Sequence, residues 1–285
     1  MIRLAVRCAP EQAERVLAEL VELSPGGVEE DWAPDYVEYA IYGPPGELPE
    51  MGEIEAVAGA GLVEIESTEI PDDWADRWRD FHKPVWIGER LVVRPSWESA
   101  QAADPPSGPE PAPIEIVVDP GRAFGTGAHA TTSMCLELLI EQADTDRDQV
   151  ARGAMDLGTG SGVLAIAAAK LGYAPVCGCD HEADAVQAAA ANAALNGVEV
   201  TVERRNLRES PAPFAPLWIA NLTAPLLLAV AELMGGDQQP ELLLLSGLLV
   251  SERERVADAF ARRGYRVVGG RERGEWAALR MQYRA

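Results

Sequence analysis

Apolar and polar residues alternate over Ile2 to Cys8, which predicts a β-strand. Ala13, Val16, Leu17 and Leu20 then fall on one face of a helix over Pro10 to Leu23, stopped by Ser24-Pro25-Gly26-Gly27. Val28 to Trp32 and Tyr36 to Tyr42 read as strands around a Pro34-Asp35 turn. A short helix near Glu50 to Ala58 and a strand over Leu62 to Ser67 follow. The order βαββαβ is the ferredoxin-like, split-βαβ pattern of a small α+β domain, and that pattern hosts many unrelated functions.

Beyond it, Pro71 to His82 reads as a connecting helix with Trp74 and Trp78 one turn apart, and Val85 to Trp97 reads as strand-like. Ala100 to Pro113 has no periodicity and is rich in Pro, Ala and Ser, as a surface loop is. From Ile114 onward strands and helices alternate. The strands are expected at Ile114 to Val118, Gly153 to Leu157, Pro175 to Asp180, Val200 to Arg204, Leu217 to Asn221, Glu241 to Ser246, Arg266 to Gly269 and Trp276 to Tyr283. Helices are expected at Thr131 to Glu141, Val163 to Leu171, Ala183 to Asn196, Pro225 to Met234 and Ser251 to Arg263. This is a doubly wound, Rossmann-like α/β domain with a mostly parallel sheet. The expected organisation is a small domain over 1–69, a linker helix over 70–83 and the α/β domain over 84–285.

Charge narrows the partners. Asp and Glu number 46 against 24 Lys and Arg, a net charge of −22. A nucleic-acid backbone is therefore an unlikely direct partner, and a basic protein or a small molecule fits better. Lys83 and Lys170 are the only lysines. No apolar run approaches the ~20 residues that cross a bilayer, and Glu11 interrupts any signal-peptide pattern, so a cytoplasmic protein with no membrane contact is expected. The four cysteines show no zinc or redox spacing.

Three segments can carry chemistry. In Met155 to Gly162 an acid is followed by Gly158, Gly160 and Gly162 where a strand hands over to a helix, which allows a tight turn and close approach of a ligand to backbone N–H groups. Asp180 ends the next strand, where a carboxylate holds ribose hydroxyls. The acid-x-Gly-x-Gly-x-Gly spacing differs from the dinucleotide fingerprint, and the combination points to S-adenosylmethionine. A plain strand–helix turn and a nicotinamide site are the competing readings. The second segment, Asp119 to Thr132, leads into a helix for which Thr131 or Thr132 is an N-cap candidate. Its His129 is a candidate base, although a lone loop histidine is more often a hydrogen-bonding scaffold residue. The third, Ile219 to Pro225, places Asn221 at a strand end followed by a proline-containing turn; an Asx-turn is the bland alternative.

These residues closely resemble the PrmA family, the methyltransferases of large-subunit ribosomal protein eleven. The resemblance rests on Trp78 through His82-Lys83-Pro84, Ile87 to Leu91, Pro95-Ser96-Trp97-Glu98, Asp119 to Thr132, Asp156 to Lys170, Asn192 to Gly197, Ala220-Asn221 and Leu245-Ser246-Gly247. It implies that Thr132, Gly158, Asp180 and Asn221 contact S-adenosylmethionine and that the N-terminal domain recognises a basic ribosomal protein. The activity implied is methylation of lysine and N-terminal amine nitrogens. Departures from the family pattern are Ala130 for Pro, Thr159 for Cys, His181-Glu182 for an acidic turn with Pro, and Leu222 to Pro225 for Asn-Ile-Leu-Ala. The last bears on the choice of methyl acceptor. Alternatives are methylation of another protein or a small molecule, and a nicotinamide-dependent oxidoreductase, which leaves the Asn221 segment unexplained. Because a lysine acceptor must lose a proton before it attacks, a carboxylate-poor reaction centre is expected, with Asn221 orienting the amine.

Overall fold

The computed structural model describes residues 2–13, 16, 20, 29–33, 35–43, 48–49, 54, 62–69, 83–99, 113–119, 129–146, 152–235 and 239–284. The chain forms two compact units, Met1–Phe81 and His82–Ala285. The expected linker helix, apart from Lys83, lies outside the described residues, as do Ala100 to Ala112 and Pro120 to Ala128.

In the first unit, β1 (Ile2–Cys8), β2 (Glu29–Trp32), β3 (Val37–Gly43) and β4 (Leu62–Glu69) make an antiparallel sheet in the order β2-β3-β1-β4. This is the strand order of a split βαβ arrangement. The pleat of β1 sends Leu4, Val6 and Cys8 into a core with Tyr39, Ile41 and the helical residues Ala13, Val16 and Leu20. Ile54, also helical, is fully buried in the same core. Across the sheet, Arg3 and Arg7 both pair with Glu38, and Arg7 also reaches Glu64 and Glu66.

The second unit begins with a hairpin of β5 (Val85–Ile87) and β6 (Leu91–Arg94), to which β7 (Ile114–Val117) adds in parallel. The strand-like stretch Val85 to Trp97 is thus two antiparallel strands. Gly88, at φ +57°, supplies the turn conformation that other residues resist.

The main sheet contains β8 (Ala154–Leu157), β9 (Val176–Asp180), β10 (Thr201–Arg204), β11 (Leu217–Asn221), β12 (Leu242–Leu249), β13 (Tyr265–Arg273) and β14 (Trp276–Tyr283). Its order is β10-β9-β8-β11-β12-β14-β13; the first five run parallel, and the β13–β14 hairpin closes one edge in antiparallel fashion. Successive strand residues feed opposite faces. Ala154, Leu217, Ile219 and Leu244 pack with α1 (Ala130–Thr145) and α2 (Val163–Lys170). Met155, Trp218, Ala220 and Leu243 pack against α4 (Ala224–Leu233) and α5 (Arg253–Ala261). The helix between, α3 (Ala183–Leu195), adds Ala193 to the first of these cores.

From β8 the chain winds outward through β9 to β10 and then returns to β11 on the other side of β8. That reversal opens a crevice at the carboxyl ends of the strands, where α/β sheets hold ligands. No helix among the described residues is long and apolar enough to cross a membrane. None of their His, Cys, Asp and Glu side chains form a metal-binding group.

Candidate functional site

Gly158, Gly160 and Gly162 all adopt positive φ (+69°, +52° and +85°) in the turn from β8 to α2. A side chain at Gly158 would collide with Leu222, its Cβ falling 2.3 Å from Leu222 Cδ2, and one at Gly162 would press on the backbone of Ala189 at 3.0 Å. Most of the turn's own N–H groups are already engaged within the protein. Gly158 and Thr159 both donate to the Cys179 carbonyl at 2.9 Å, and Gly160 donates to Asp180 Oδ2 at 3.0 Å. The glycines provide closeness, and these donors hold the neighbouring strand end.

Beneath the turn, Asp156 is fully buried. Its Oδ2 accepts from Thr159 Oγ1 at 2.7 Å and from the Ala165 N–H at 3.1 Å, fastening the turn to α2. Oδ1 is buried with no hydrogen-bond partner. Burial raises this carboxyl to about 7, because removing water penalises the charged form.

Asp180, at the end of β9, is 9% exposed. Besides Gly160, it accepts the Glu182 N–H on Oδ1 at 3.1 Å, and His181 Nδ1 lies 3.3 Å from the same oxygen. Each carboxylate oxygen has a second lone pair, so ligand hydroxyls remain within its capacity.

On the other side of β8, Asn221 Nδ2 donates to Thr132 Oγ1 at 3.1 Å, while Asn221 Oδ1 is buried without a partner. Thr132 is held in place by its surroundings. Ser246 Oγ, on β12, donates to the Thr131 carbonyl at 2.9 Å, and the Leu222 N–H donates to the Ser246 carbonyl at 3.0 Å. The cap of α1 is His129, not Thr131 or Thr132: its Nδ1 accepts the Thr131 N–H at 3.4 Å and lies 2.8 Å from Thr131 Oγ1. The imidazole sits edge-on to Trp276, with ring centroids 5.1 Å apart. Burial lowers its pKa, which favours the neutral ring that capping requires.

Thr132, Gly158, Gly160, Asp180 and Asn221 line one cavity of about 350 Å³; His129 and Asp156 do not. The sequence reading overlooked part of the wall, Arg205 to Arg208 following β10. The signal for it was the same strand-end rule that singled out Asp180 and Asn221. Overlooked too were the partners of two family-like segments: Asp119 Oδ1 accepts the Ser96 N–H at 2.8 Å, joining the Pro95 to Glu98 turn to the end of β7.

The family model described as ribosomal protein L11 methyltransferase (PrmA) matches residues 51–284. Curated relatives of that name include those of Geobacter metallireducens (39% identical), Geobacter sulfurreducens (40%) and Symbiobacterium thermophilum (35%). The matches cover 74%, 79% and 82% of this chain and 66%, 71% and 78% of the respective relatives. Among solved structures, the ribosomal protein L11 methylase of Lactobacillus delbrueckii subsp. bulgaricus superposes with a TM-score of 0.59 at 28% identity, covering 72% of this chain and all of the other.

Proposed function

The chain belongs to the PrmA family of ribosomal protein L11 methyltransferases, and from that premise we propose that it transfers methyl groups from S-adenosylmethionine to lysine and N-terminal amine nitrogens of ribosomal protein L11. The observation that carries this reading is Asn221 Oδ1. It is a buried acceptor with no partner, in a side chain that lines the same cavity as Gly158, Gly160 and Asp180.

S-adenosylmethionine supplies an already activated methyl on its sulfonium, so the protein's task is alignment and exclusion of water. On this reading Asp180 uses its remaining lone pairs for the ribose hydroxyls, and Gly158 and Gly160 let the nucleoside approach the backbone. The Thr132 hydroxyl engages the Asn221 nitrogen and leaves Oδ1 as the acceptor that an entering amine would uncover and satisfy. An amide oxygen orients an amine N–H without the full negative charge that would keep the amine protonated. A lysine, with a reference pKa of ~10.4, is helped toward its neutral form by an apolar surface such as Leu222 and Leu226 offer here. Substrate capture falls to the N-terminal unit, and the net charge of −22 steers a basic ribosomal protein toward the enzyme.

Intact-mass analysis of ribosomal protein L11 incubated with the full chain and S-adenosylmethionine tests the reading. Mass added in methyl steps supports it. An unmodified substrate in a mixture where the cofactor is bound overturns the assigned acceptor and directs attention to the altered Leu222 to Pro225 turn.

A further inference from the structure

Asn192 stands on α3 outside the cavity lining, and it is only 5% exposed. Its one side chain reaches both the glycine turn and Asp119. Nδ2 donates to the Ser161 carbonyl inside the glycine turn at 2.9 Å, and Oδ1 accepts the Asp119 N–H at 3.3 Å. Asp119 opens the segment that runs through residues 120–128 to His129, the cap of the helix that presents Thr132. One turn further, at the C-terminal cap of α3, Asn196 makes a different connection: its Oδ1 accepts the Val117 N–H at 2.9 Å, and its Nδ2 donates to the Val117 carbonyl at 2.5 Å.

From this arrangement we infer that Asn192 is a positioning residue of the methyl-transfer site, setting the glycine turn and Asp119, just beyond β7, in one register through a single amide. The inference rests on the proposed use of the cavity for S-adenosylmethionine. Attachment of α3 to β7 alone does not account for Asn192, since Asn196 already provides it with two hydrogen bonds. What Asn192 adds is a bond to the turn whose Gly160 holds Asp180. Because the amide is planar, its donor and acceptor keep a fixed spacing. Neither the glycine turn nor Asp119 can shift without breaking a hydrogen bond where water has little access to replace it. An alanine supplies neither bond. An aspartate keeps the acceptor for Asp119 and loses the donor for Ser161, so the two arms can be separated.

The test compares wild type, N192A, N192D and N196A as full chains. Calorimetry gives the Kd for S-adenosylmethionine, steady-state assays with ribosomal protein L11 give kcat and KM, and thermal melts give Tm. N192A is expected to weaken cofactor binding about tenfold and to lower kcat by a similar factor, as loss of a buried hydrogen bond allows. N192D is expected to weaken cofactor binding equally while retaining most of kcat at saturating cofactor. N196A is expected to lower Tm at least as much as N192A and to leave the cofactor Kd within about twofold of wild type. Equal Kd shifts in N192A and N196A, or unchanged Kd and kcat in N192A, overturn the inference while the wild type still binds and transfers. If N192A does not fold, the contrast between N192D and N196A decides in the same way. A wild-type chain that binds no S-adenosylmethionine instead overturns the proposed function, and the inference with it.

Discussion

At the ends of β8 and β9, Asp180 accepts backbone N–H groups on both oxygens and the glycine turn spends its donors on its neighbours. At the end of β11 the Asn221 side chain uses only its nitrogen and leaves a buried oxygen unmatched. The first wall is charged and internally braced. The second is neutral and incomplete. A braced wall suits a ligand that must be held in one pose, and an unmatched acceptor suits a group that arrives for one event and departs. On the proposed function, the contrast puts affinity on one side of the cavity and turnover on the other.

Breaking the second wall has the largest expected effect. Asn221→Ala should reduce kcat roughly 100-fold with much smaller changes in cofactor Kd and Tm. Asn221→Asp should fare no better, because a carboxylate favours the ammonium form of the acceptor. Turnover near wild type in either variant, measured at saturating cofactor, removes Asn221 from the reaction. Gly247→Ala comes next. Its Cβ would lie 2.6 Å from the Leu222 carbonyl oxygen at a backbone φ of +85°, so the backbone carrying Asn221 must move. A stability loss of about 2 kcal/mol in urea unfolding is expected, with a fall in kcat. On the braced wall, Asp180→Ala should weaken cofactor binding about tenfold and leave kcat at saturation nearly unchanged. A kcat loss without a Kd change would erase the division between the walls.

The smallest effect concerns the support under the turn. Burial holds the Asp156 carboxyl at about 7 in the folded chain, above its reference of 3.8, so the folded state keeps a proton that the unfolded state has released. The stability this confers is present at lower pH and is lost as pH rises through about 7. Wild type should therefore lose about 1 kcal/mol between pH 6 and 8 through this group. Asp156→Asn should flatten that part of the profile. Urea melts at a series of pH values check this, and equal slopes in the two proteins would refute it.

Much of this arrangement was legible in the sequence because it is local or follows a strand-end rule. Leu217 to Asn221 and Trp276 to Tyr283 have the limits the sequence predicts, the first because its apolar run lies between Pro216 and the turn at Pro225, the second because Gly274 marks its start. Asp180 and Asn221 were found as strand-terminal polar residues. The hairpin at Gly88 escapes the sequence reading because a lone glycine before Glu89-Arg90 only weakly marks a turn between two short apolar runs. The cap of α1 was assigned to Thr131 or Thr132 by the general preference for hydroxyl caps, but the histidine just before the helix takes the position. Asn192 and Asn196 carried one local hint, two asparagines four residues apart on an alanine-rich helix. Their partners Asp119 and Val117 lie more than 70 residues away, and no local periodicity encodes such a pairing.

The second unit contains both lysines of the chain. Lys83 is ion-paired with Glu98 at 3.2 Å, and Lys170 occupies the last turn of α2. An enzyme with the proposed lysine-amine acceptor thus carries almost none of that group itself. In a reaction mixture, isotope transferred from the donor can reach only the two lysine side chains and the N-terminal amine of the catalyst, so the blank from self-labelling is confined to a few identifiable peptides. Even unfractionated counting of incorporated label becomes a usable assay for whatever acceptor is added.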